Sequence, residues 1–294
     1  MKYQKGKNNR KKVPFAQNNR SAIIMLNAAV VLIVVIVAMI IQLVHLNGRP
    51  QPQKTMESQT ADTQTPAESA NPEDNPEGTS EDAPKVERIR KNLDKDKPMV
   101  ALTFDDGPYD KVTDRIVKAL AKNDSRATFF VVGNRVEKYA DTLKNAYVQG
   151  NQIATHTFDH KDLSKMKTAG IKKEINRSKS VIQKIIGEGP ALLRPPYGNV
   201  NDKMRKSVKM PMIYWSVDTQ DWKSRNKKSI LKESKSIEDG DIVLMHDLYP
   251  TTAAAVEALV PRLRKKGFQL VTVEELFYYK EIDAGAGKVY FSGK

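Results

Sequence analysis

Hydrophobic residues follow three different patterns along the chain. Residues 22–46 are almost wholly apolar, residues 47–86 almost lack large apolar side chains, and later residues alternate short apolar runs with longer mixed segments. Short runs rich in β-branched and aromatic residues are typical of buried strands. They predict strands at Met99–Phe104, Ala127–Val132, Gln152–Thr155, Ala191–Leu193, Met212–Val217, Asp241–Met245 and Gln269–Val273.

Segments between the predicted strands carry apolar residues at helical spacing. One set is Ile171, Ile175, Ile182, Ile185 and Ile186, and another is Val256, Leu259, Val260 and Leu263. Alternation of strands and helices favours parallel βα units, which either a barrel or an open doubly wound sheet would satisfy. In both folds, side chains at the carboxyl ends of the strands converge on one site.

The apolar stretch 22–46 is long enough to cross a membrane, because a helix rises about 1.5 Å per residue and a hydrocarbon core is roughly 30 Å thick. All charged residues before it are basic, so the positive-inside rule keeps them in the cytoplasm. A cleaved signal peptide is the alternative, but no A-x-A-like site follows in residues 47–50. We expect a cytoplasmic tail at 1–21, one transmembrane helix at 22–46 and a cell-membrane protein with an extracellular remainder.

Residues 47–86 are rich in Pro, Ser, Thr, Gln, Glu and Asp. Such a segment cannot bury enough apolar surface to offset its ordering entropy, so it predicts a disordered extracellular linker. The catalytic domain is therefore expected at 87–294. The chain has no cysteine, which excludes disulfides and thiolate metal sites.

The net charge of +14 lies mainly on the predicted domain. Residues 1–46 carry +7 and residues 47–85 carry −5, so residues 86–294 carry +12. A basic extracellular domain would be drawn to an anionic surface such as a wall bearing phosphate polymers, although a lysine-rich surface can also serve solubility alone. The predicted location outside the cell argues against a nucleic-acid partner.

Polar residues suited to chemistry recur where the predicted strands end: Asp105, Asp106, His156, Arg194, Asp218, Asp221 and His246. His156 and His160 are four residues apart, so both rings can reach one ion if the segment forms a helical turn. Two surface histidines would also satisfy this spacing, and Asp106-Gly107-Pro108 is also ordinary turn chemistry. The second acid at the strand end, Asp105, favours a site in which one carboxylate binds an ion and the other stays free.

Five segments resemble, in order, the motifs of the polysaccharide deacetylases, also called the NodB-homology domain or carbohydrate esterase family 4. They are residues 103–108 (TFDDGP), 156–160 (HTFDH), 194–198 (RPPYG), 215–222 (WSVDTQDW) and 244–246 (LMH). The resemblance covers about residues 97–280. It implies an α/β fold, a distorted (β/α) barrel that usually has seven strands.

The resemblance implies a metal site of Asp106, His156 and His160, with Asp105 as the general base. Zinc is the expected ion, and cobalt, nickel and manganese are alternatives because two histidines and one carboxylate accept several first-row metals. Such an ion lowers the pKa of bound water to about 7, and the base takes its proton.

The later motifs imply further catalytic roles by the same resemblance. His246 would protonate the leaving amine, and Asp221 would keep His246 protonated. Arg194 would hold Asp105 ionised and oriented. The backbone N–H of Tyr197 would stabilise the oxyanion.

The remaining candidates are substrate-binding groups. Trp215 and Leu244 are suited to enclosing an acetyl methyl group, although core packing explains both equally well. Asp218 and Trp222 are expected to be structural and to lie outside the site.

The expected reaction is removal of N-acetyl groups from N-acetylglucosamine residues of cell-wall peptidoglycan, with release of acetate. The resemblance does not identify the sugar, so exopolysaccharide, chitin-like oligosaccharide, xylan esters and the sugar that links a secondary wall polymer are alternatives. A non-catalytic wall-binding protein would be expected to lack a ligand or the base, and all of them are present. The expected partners are a wall glycan and the membrane, while the oligomeric state is not predicted.

Overall fold

The computed structural model describes residues 86–294, which form an α/β fold around a parallel sheet. The predicted tail, the predicted transmembrane helix and residues 47–85 of the predicted linker lie outside the described residues. Among the helices of residues 86–294, none has the length and apolar character needed to span a bilayer.

The main sheet has the strand order β3-β2-β1-β6-β5, with β7 also paired to β1, and β4 pairs with β8. All of these pairings are parallel. The strands are β1 Met99–Asp105, β2 Thr128–Val131, β3 Gln152–Thr155, β4 Met212–Ile213, β5 Val217–Asp218, β6 Asp241–His246, β7 Gln269–Leu270 and β8 Val289–Tyr290.

Helices connect most of these strands. They are α1 Asp110–Ala121, α2 Gly133–Val136, α3 Ala140–Val148, α4 Thr168–Ile186, α5 Asp202–Ser207, α6 Asp221–Ser224, α7 Lys227–Glu233, α8 Pro250–Lys265 and α9 Val273–Tyr279. Short 3-10 turns lie at Leu163–Lys165, Pro196–Gly198 and Ser234–Ser236. The isoleucines and valines that predicted helices lie in α4 and α8, and most are buried there.

Single bridges extend the sheet beyond β3. Thr155 bridges Leu193, and Leu193 bridges Met212, both in parallel. The chain therefore passes from β3 through Leu193 to β4, and β5 returns beside β6. This arrangement is consistent with the expected distorted (β/α) barrel.

Three of the predicted strands were wrong in detail. Residues 191–193 form only a bridge, residues 212–217 divide into β4 and β5, and the strand predicted at 269–273 ends at Leu270 because Thr272 caps α9. For residues 212–217 the physical reason is Arg194, whose Nε donates to the Ile213 carbonyl at 3.0 Å and whose Nη2 donates to the Tyr214 carbonyl at 2.8 Å. Carbonyls held by a guanidinium are less free to continue a strand ladder.

Strand β1 is buried along its whole length and separates two parts of the core. Val100, Leu102 and Phe104 pack in a cluster rich in residues of the surrounding helices, whereas Met99 and Ala101 pack in a cluster formed by residues of other strands and of α9. Successive side chains of a strand point to opposite faces. By this alternation, the next odd-numbered positions, 103 and 105, face the strand-lined interior.

A buried ion cluster attaches the segment before β1 to α9. Arg90 donates from Nε to Glu275 Oε1 at 2.8 Å and from Nη2 to Oε2 at 3.0 Å. Arg126 lies 3.3 Å from the same carboxylate, which is fully buried and also completes the capping box of α9 with Thr272. Two guanidinium groups thus share one buried carboxylate as their counterion.

Replacing Glu275 with Ala leaves both guanidinium groups without their shared counterion. We expect the free energy of unfolding to fall by about 3–5 kcal/mol, as for other broken buried pairs. The matched control is Glu257→Ala, which removes an exposed pair with Arg115 and should cost about 0–1 kcal/mol. Urea denaturation followed by circular dichroism measures both losses, and equal losses would contradict the prediction.

Candidate metal centre and active site

The site begins where two adjacent strands end. Asp105 is the last residue of β1 and His246 the last of β6, and the two are register partners. Carboxyl ends of parallel strands share one edge of the sheet, so the acid and the histidine face the same space.

The turn after β1 has a strained backbone. Asp106 has φ 74°, a left-handed conformation that is uncommon for a residue other than glycine. A Cβ atom on the next residue, Gly107, would lie 2.1 Å from Oδ2 of Asp247. Only glycine therefore fits between this turn and the Asp247 carboxyl group.

Asp247 is a fully buried acid that the sequence reasoning missed. Its backbone N–H donates to the Asp105 carbonyl at 3.2 Å, and its Oδ2 accepts from the Thr113 hydroxyl at 2.5 Å. Burial raises the pKa of Asp247 to about 7, although the Thr113 hydrogen bond opposes the shift. Its position directly after His246 at a strand end was the available signal.

Asp106, His156 and His160 meet in a geometry that fits a divalent ion. One oxygen of Asp106 lies 3.6 Å from Nε2 of His156 and 3.2 Å from Nε2 of His160. The three donor atoms lie within 4.8 Å of one another. A tetrahedral ion with bonds of about 2.0–2.1 Å separates its ligands by roughly 3.3 Å, so the observed spacing fits zinc or a similar metal.

His156 is held in the form that binds metals. Its Nδ1 lies 2.6 Å from the Arg194 carbonyl, which fixes the proton on Nδ1 and leaves Nε2 to accept an ion. Burial lowers the pKa of His156 to about 3, against the opposing charge of Asp106. The ring is therefore neutral at physiological pH, as metal ligation requires.

The segment between the two histidines does not form the helical turn on which the prediction of a shared ion depended. Thr157 has φ 67° and His160 has φ 54°, both in the left-handed region. The Thr155 hydroxyl accepts from the Thr157 N–H at 3.1 Å and supports this bend. The bend still brings the two imidazole centroids within 4.8 Å, so the predicted pairing holds through different local geometry.

Asp105 pairs with a fully buried arginine, as expected. Its Oδ1 accepts from Nη1 of Arg194 at 2.8 Å, and its Oδ2 lies 3.8 Å from Nε2 of His156. Burial raises the pKa of Asp105, and the positive charges of Arg194 and His246 only partly offset this. Arg194 thus restrains the shift and orients the carboxylate, whose raised pKa suits a general base.

His246 and Asp221 form the second predicted pair. Nδ1 of His246 lies 2.8 Å from Oδ1 of Asp221, whose Oδ2 accepts from the His246 backbone N–H and from the Thr252 hydroxyl, each at 2.7 Å. Burial alone would lower the pKa of His246, but the hydrogen bond and charge of Asp221 outweigh it and raise the pKa to about 9. The imidazole is therefore protonated at neutral pH.

These groups surround a cavity of about 380 Å³. The predicted site residues that line it are Asp105, Asp106, His156, His160, Tyr197, Trp215, Leu244 and His246. Arg194 and Asp221 do not line the cavity. Arg194 contacts the lining residue Asp105, and Asp221 contacts the lining residue His246. The structure thus brings all of the predicted site residues to one place.

Five further residues line the cavity: Pro195, Gly198, Asp218, Trp222 and Tyr249. The expectation that Asp218 and Trp222 lie outside the site was wrong. Trp222 is 47% exposed, and its Nε1 donates to Asp218 Oδ2 at 3.4 Å. The signal was an indole and an acid directly after a strand end, whereas Tyr249, at the start of α8, gave no signal in the sequence.

Comparison with known proteins identifies the family. The profile described as "Polysaccharide deacetylase" matches residues 92–211. A peptidoglycan-N-acetylglucosamine deacetylase of Bacillus cereus is 34% identical over 191 residues, which are 62% of this chain and 89% of that protein. The chain belongs to the polysaccharide deacetylase family.

This polysaccharide deacetylase chain is also similar to a larger relative and to a solved structure. PdaC, a peptidoglycan-N-acetylmuramic acid deacetylase of Bacillus subtilis, is 40% identical over 201 residues, which are 67% of this chain but 43% of PdaC. The chain thus spans less than half the length of PdaC. A family 4 acetyl xylan esterase from Clostridium thermocellum, solved with a cobalt ion, is 31% identical with a TM-score of 0.63 over 66% of this chain and 98% of that chain.

The two adjacent aspartates are expected to differ in their effect on metal affinity. Asp106→Asn removes the charged ligand, so zinc affinity should fall by at least about tenfold. Asp105→Asn leaves all three donor atoms in place and should retain the metal. Chelator competition with elemental analysis measures both, and loss of zinc in the Asp105 variant alone would reverse the two roles.

His246 should titrate near pH 9 in the metal-free chain. Its pKa is raised above the ordinary value of about 6.5, so the stability from this pair is complete below about pH 6.5 and is lost as pH rises through the folded-state pKa. The variant Asp221→Asn removes the carboxylate that opposes the effect of burial on His246. The pKa of His246 should therefore fall below about 6.5. NMR titration of the ring carbons measures both values, and an unchanged pKa in the variant would exclude Asp221 as the cause.

Proposed function

We propose that this chain is a membrane-anchored, metal-dependent hydrolase that removes N-acetyl groups from N-acetylglucosamine residues of peptidoglycan and releases acetate. The observation that carries the proposal is the convergence of three metal donors, a buried carboxylate and a protonated histidine on one cavity. Hydrolysis of an amide needs these parts: activated water, a base for its proton and an acid for the amine.

Asp106, His156 and His160 hold the ion, which when bound supplies a Lewis acid and lowers the pKa of water to about 7. Asp105 takes the proton of the attacking water. Arg194 anchors Oδ1 of this carboxylate, and Oδ2 lies beside the donor cluster. Oδ2 is therefore the oxygen that is placed to accept the proton. Burial keeps its pKa above the ordinary value, which makes it a stronger base.

His246 supplies the proton that the departing amine needs, since an amide anion is a very poor leaving group. The ring is positively charged at neutral pH because Asp221 stabilises the imidazolium. Nδ1 faces Asp221, so Nε2 is the nitrogen that faces the substrate. Base and acid thus come from neighbouring strand ends.

Tyr197 provides a backbone N–H for the developing oxyanion. It lies in the short turn Pro196–Gly198 with φ 62°, and N–H groups at the start of a helical turn have no partner within it. Trp215 and Leu244 form the apolar wall that receives the acetyl methyl group. Polar donors on one side and apolar carbon on the other orient the acetamide.

Zinc is the proposed ion. Two imidazole nitrogens and one carboxylate oxygen form a three-ligand set that leaves a fourth position open, as in catalytic zinc sites. Cobalt, nickel and manganese fit the same donors, and the related esterase solved with cobalt supports that tolerance.

N-acetylglucosamine in peptidoglycan is the proposed sugar because the Bacillus cereus relative carries that name and most of its length is matched. N-acetylmuramic acid is the second candidate, favoured by the higher identity to PdaC. The remaining candidates are other surface glycans, which rank below these two sugars. They are a secondary wall polymer linkage sugar, exopolysaccharide and chitin-like oligosaccharide.

The proposed location is the cell membrane, with the N-terminus in the cytoplasm. Support comes from the apolar stretch 22–46 and the basic residues before it. A disordered linker at 47–86 would hold the catalytic domain beside the membrane, within reach of wall glycan. The domain at 87–294 is proposed as a distorted (β/α) barrel; the described residues form eight short strands, β1–β8, where seven were expected.

Zinc-loaded chain should release acetate from N-acetylated peptidoglycan and leave deacetylated sugars, which mass spectrometry of muramidase fragments assigns to glucosamine or muramic acid. Asp105→Asn is the matched control, because it keeps the metal but loses the base, and its rate should fall by roughly 10²–10⁴-fold. Release confined to muramic acid would replace the proposed sugar by the second candidate. No release from any glycan by the zinc-loaded chain would exclude the proposed activity.

A further inference from the structure

An arginine is held in one position at the mouth of the catalytic cavity. Arg225 follows α6 directly, and its guanidinium carbon lies 3.7 Å from the centroid of the Tyr249 ring. Its Nε donates to the Trp222 carbonyl at 3.0 Å. Tyr249 and Trp222 both line the cavity, so these two contacts place the guanidinium at its rim.

The backbone of Arg225 is strained in this position. Its φ is 45°, in the left-handed region, and its N–H donates to the Asp221 carbonyl at 3.0 Å. Asp221 is the residue that binds His246, so the turn that ends at Arg225 is built onto the catalytic pair. Strained conformations of this kind persist where surrounding contacts hold them, and they cluster at functional sites.

No carboxylate in residues 86–294 forms an ion pair with Arg225, although other exposed arginines of this part of the chain do pair, such as Arg115 with Glu257. The side-chain hydrogen bond of Arg225 to Trp222 uses Nε. Its two terminal nitrogens, Nη1 and Nη2, form no hydrogen bond with residues 86–294. The part of the guanidinium best suited to bind a planar oxyanion is thus free of protein partners.

Further unpaired cations lie close to Arg225 in the sequence. The exposed side chains that follow Trp222 include Lys223, Lys227, Lys228, Lys232 and Lys235, with Glu233 as the only acid of residues 222–235. Within residues 86–294, none of these five lysines pairs with a carboxylate at 4.0 Å or less. The cavity wall instead carries the acids Asp105, Asp106 and Asp218, so charge changes sign between wall and rim.

We propose that Arg225 is a specificity-determining residue, which binds a carboxylate or phosphate on the part of the glycan that leaves the cavity on the Trp222 side. The inference rests on the proposed function, because it takes a glycan as the ligand. A planar guanidinium can bind either oxyanion with two parallel hydrogen bonds. The neighbouring lysines raise the local concentration of such a ligand.

Binding of three tetrasaccharides to the full chain tests the proposal. They are the neutral N-acetylglucosamine tetramer, the same tetramer with a terminal 6-phosphate, and alternating N-acetylglucosamine and N-acetylmuramic acid with free lactyl carboxylates. Calorimetry is performed with the zinc-loaded chain in a nonionic detergent. Every protein carries Asp105→Asn, so that the ligands stay intact during the titration.

Arg225→Gln should lower the preference for an anionic ligand over the neutral one by about tenfold, the usual scale of one charge-assisted contact. Arg225→Lys should recover only part of it, because lysine keeps the charge but lacks the planar fork. The matched control is Arg262→Gln, an exposed arginine of α8 that is twelve residues beyond Pro250, or about 18 Å along the helix. It should leave the preference unchanged.

A loss confined to the carboxylated or to the phosphorylated ligand supports the proposal and identifies the anion. The proposal is overturned if the preference survives in Arg225→Gln, if Arg262→Gln reduces it equally, or if the chain with intact Arg225 prefers neither anionic ligand. Because binding is measured, a chain that releases no acetate would sink the proposed function and still give a result here.

Discussion

The buried guanidinium of Arg194 is the constraint on which the rest of the site depends. It is fully buried, and it donates to Asp105, to the Thr103 hydroxyl at 2.7 Å and to the carbonyl of Ile213. Its own carbonyl binds His156. A buried cation is costly unless its N–H groups are paired, so these partners must meet at one point. The proposed base and one proposed metal ligand therefore share a single support.

Two histidines in this site show how environment decides chemistry. His156 is buried against a backbone carbonyl, so burial prevails and the ring stays neutral for metal binding. His246 is also largely buried, but a carboxylate contacts its Nδ1, and the ring stays charged. The same side chain is thus suited to bind a metal in one place and to donate a proton in the other, because only His246 has a carboxylate hydrogen-bonded to its ring.

Much of the architecture could be predicted because it depends on local pattern. Buried strands, the helical faces of α4 and α8, and the placement of acids and histidines at strand ends follow from hydrophobic periodicity. The exception at residues 212–217 is instructive, because a side chain from another segment, Arg194, takes carbonyls there. A periodic pattern does not report a contact made across the fold.

By itself, the sequence determined the parallel βα organisation, the family resemblance and which residues are the candidates for metal donor, base and acid. Only the tertiary structure decided how they meet: the left-handed bend that joins His156 to His160, the Asp247 carboxyl group against Gly107, and the rim where Arg225 lies on Tyr249. The physical reason is range. Hydrophobic spacing and turn chemistry act between near neighbours in the chain, whereas burial, charge pairing and pKa shifts arise from residues far apart in sequence that folding brings together.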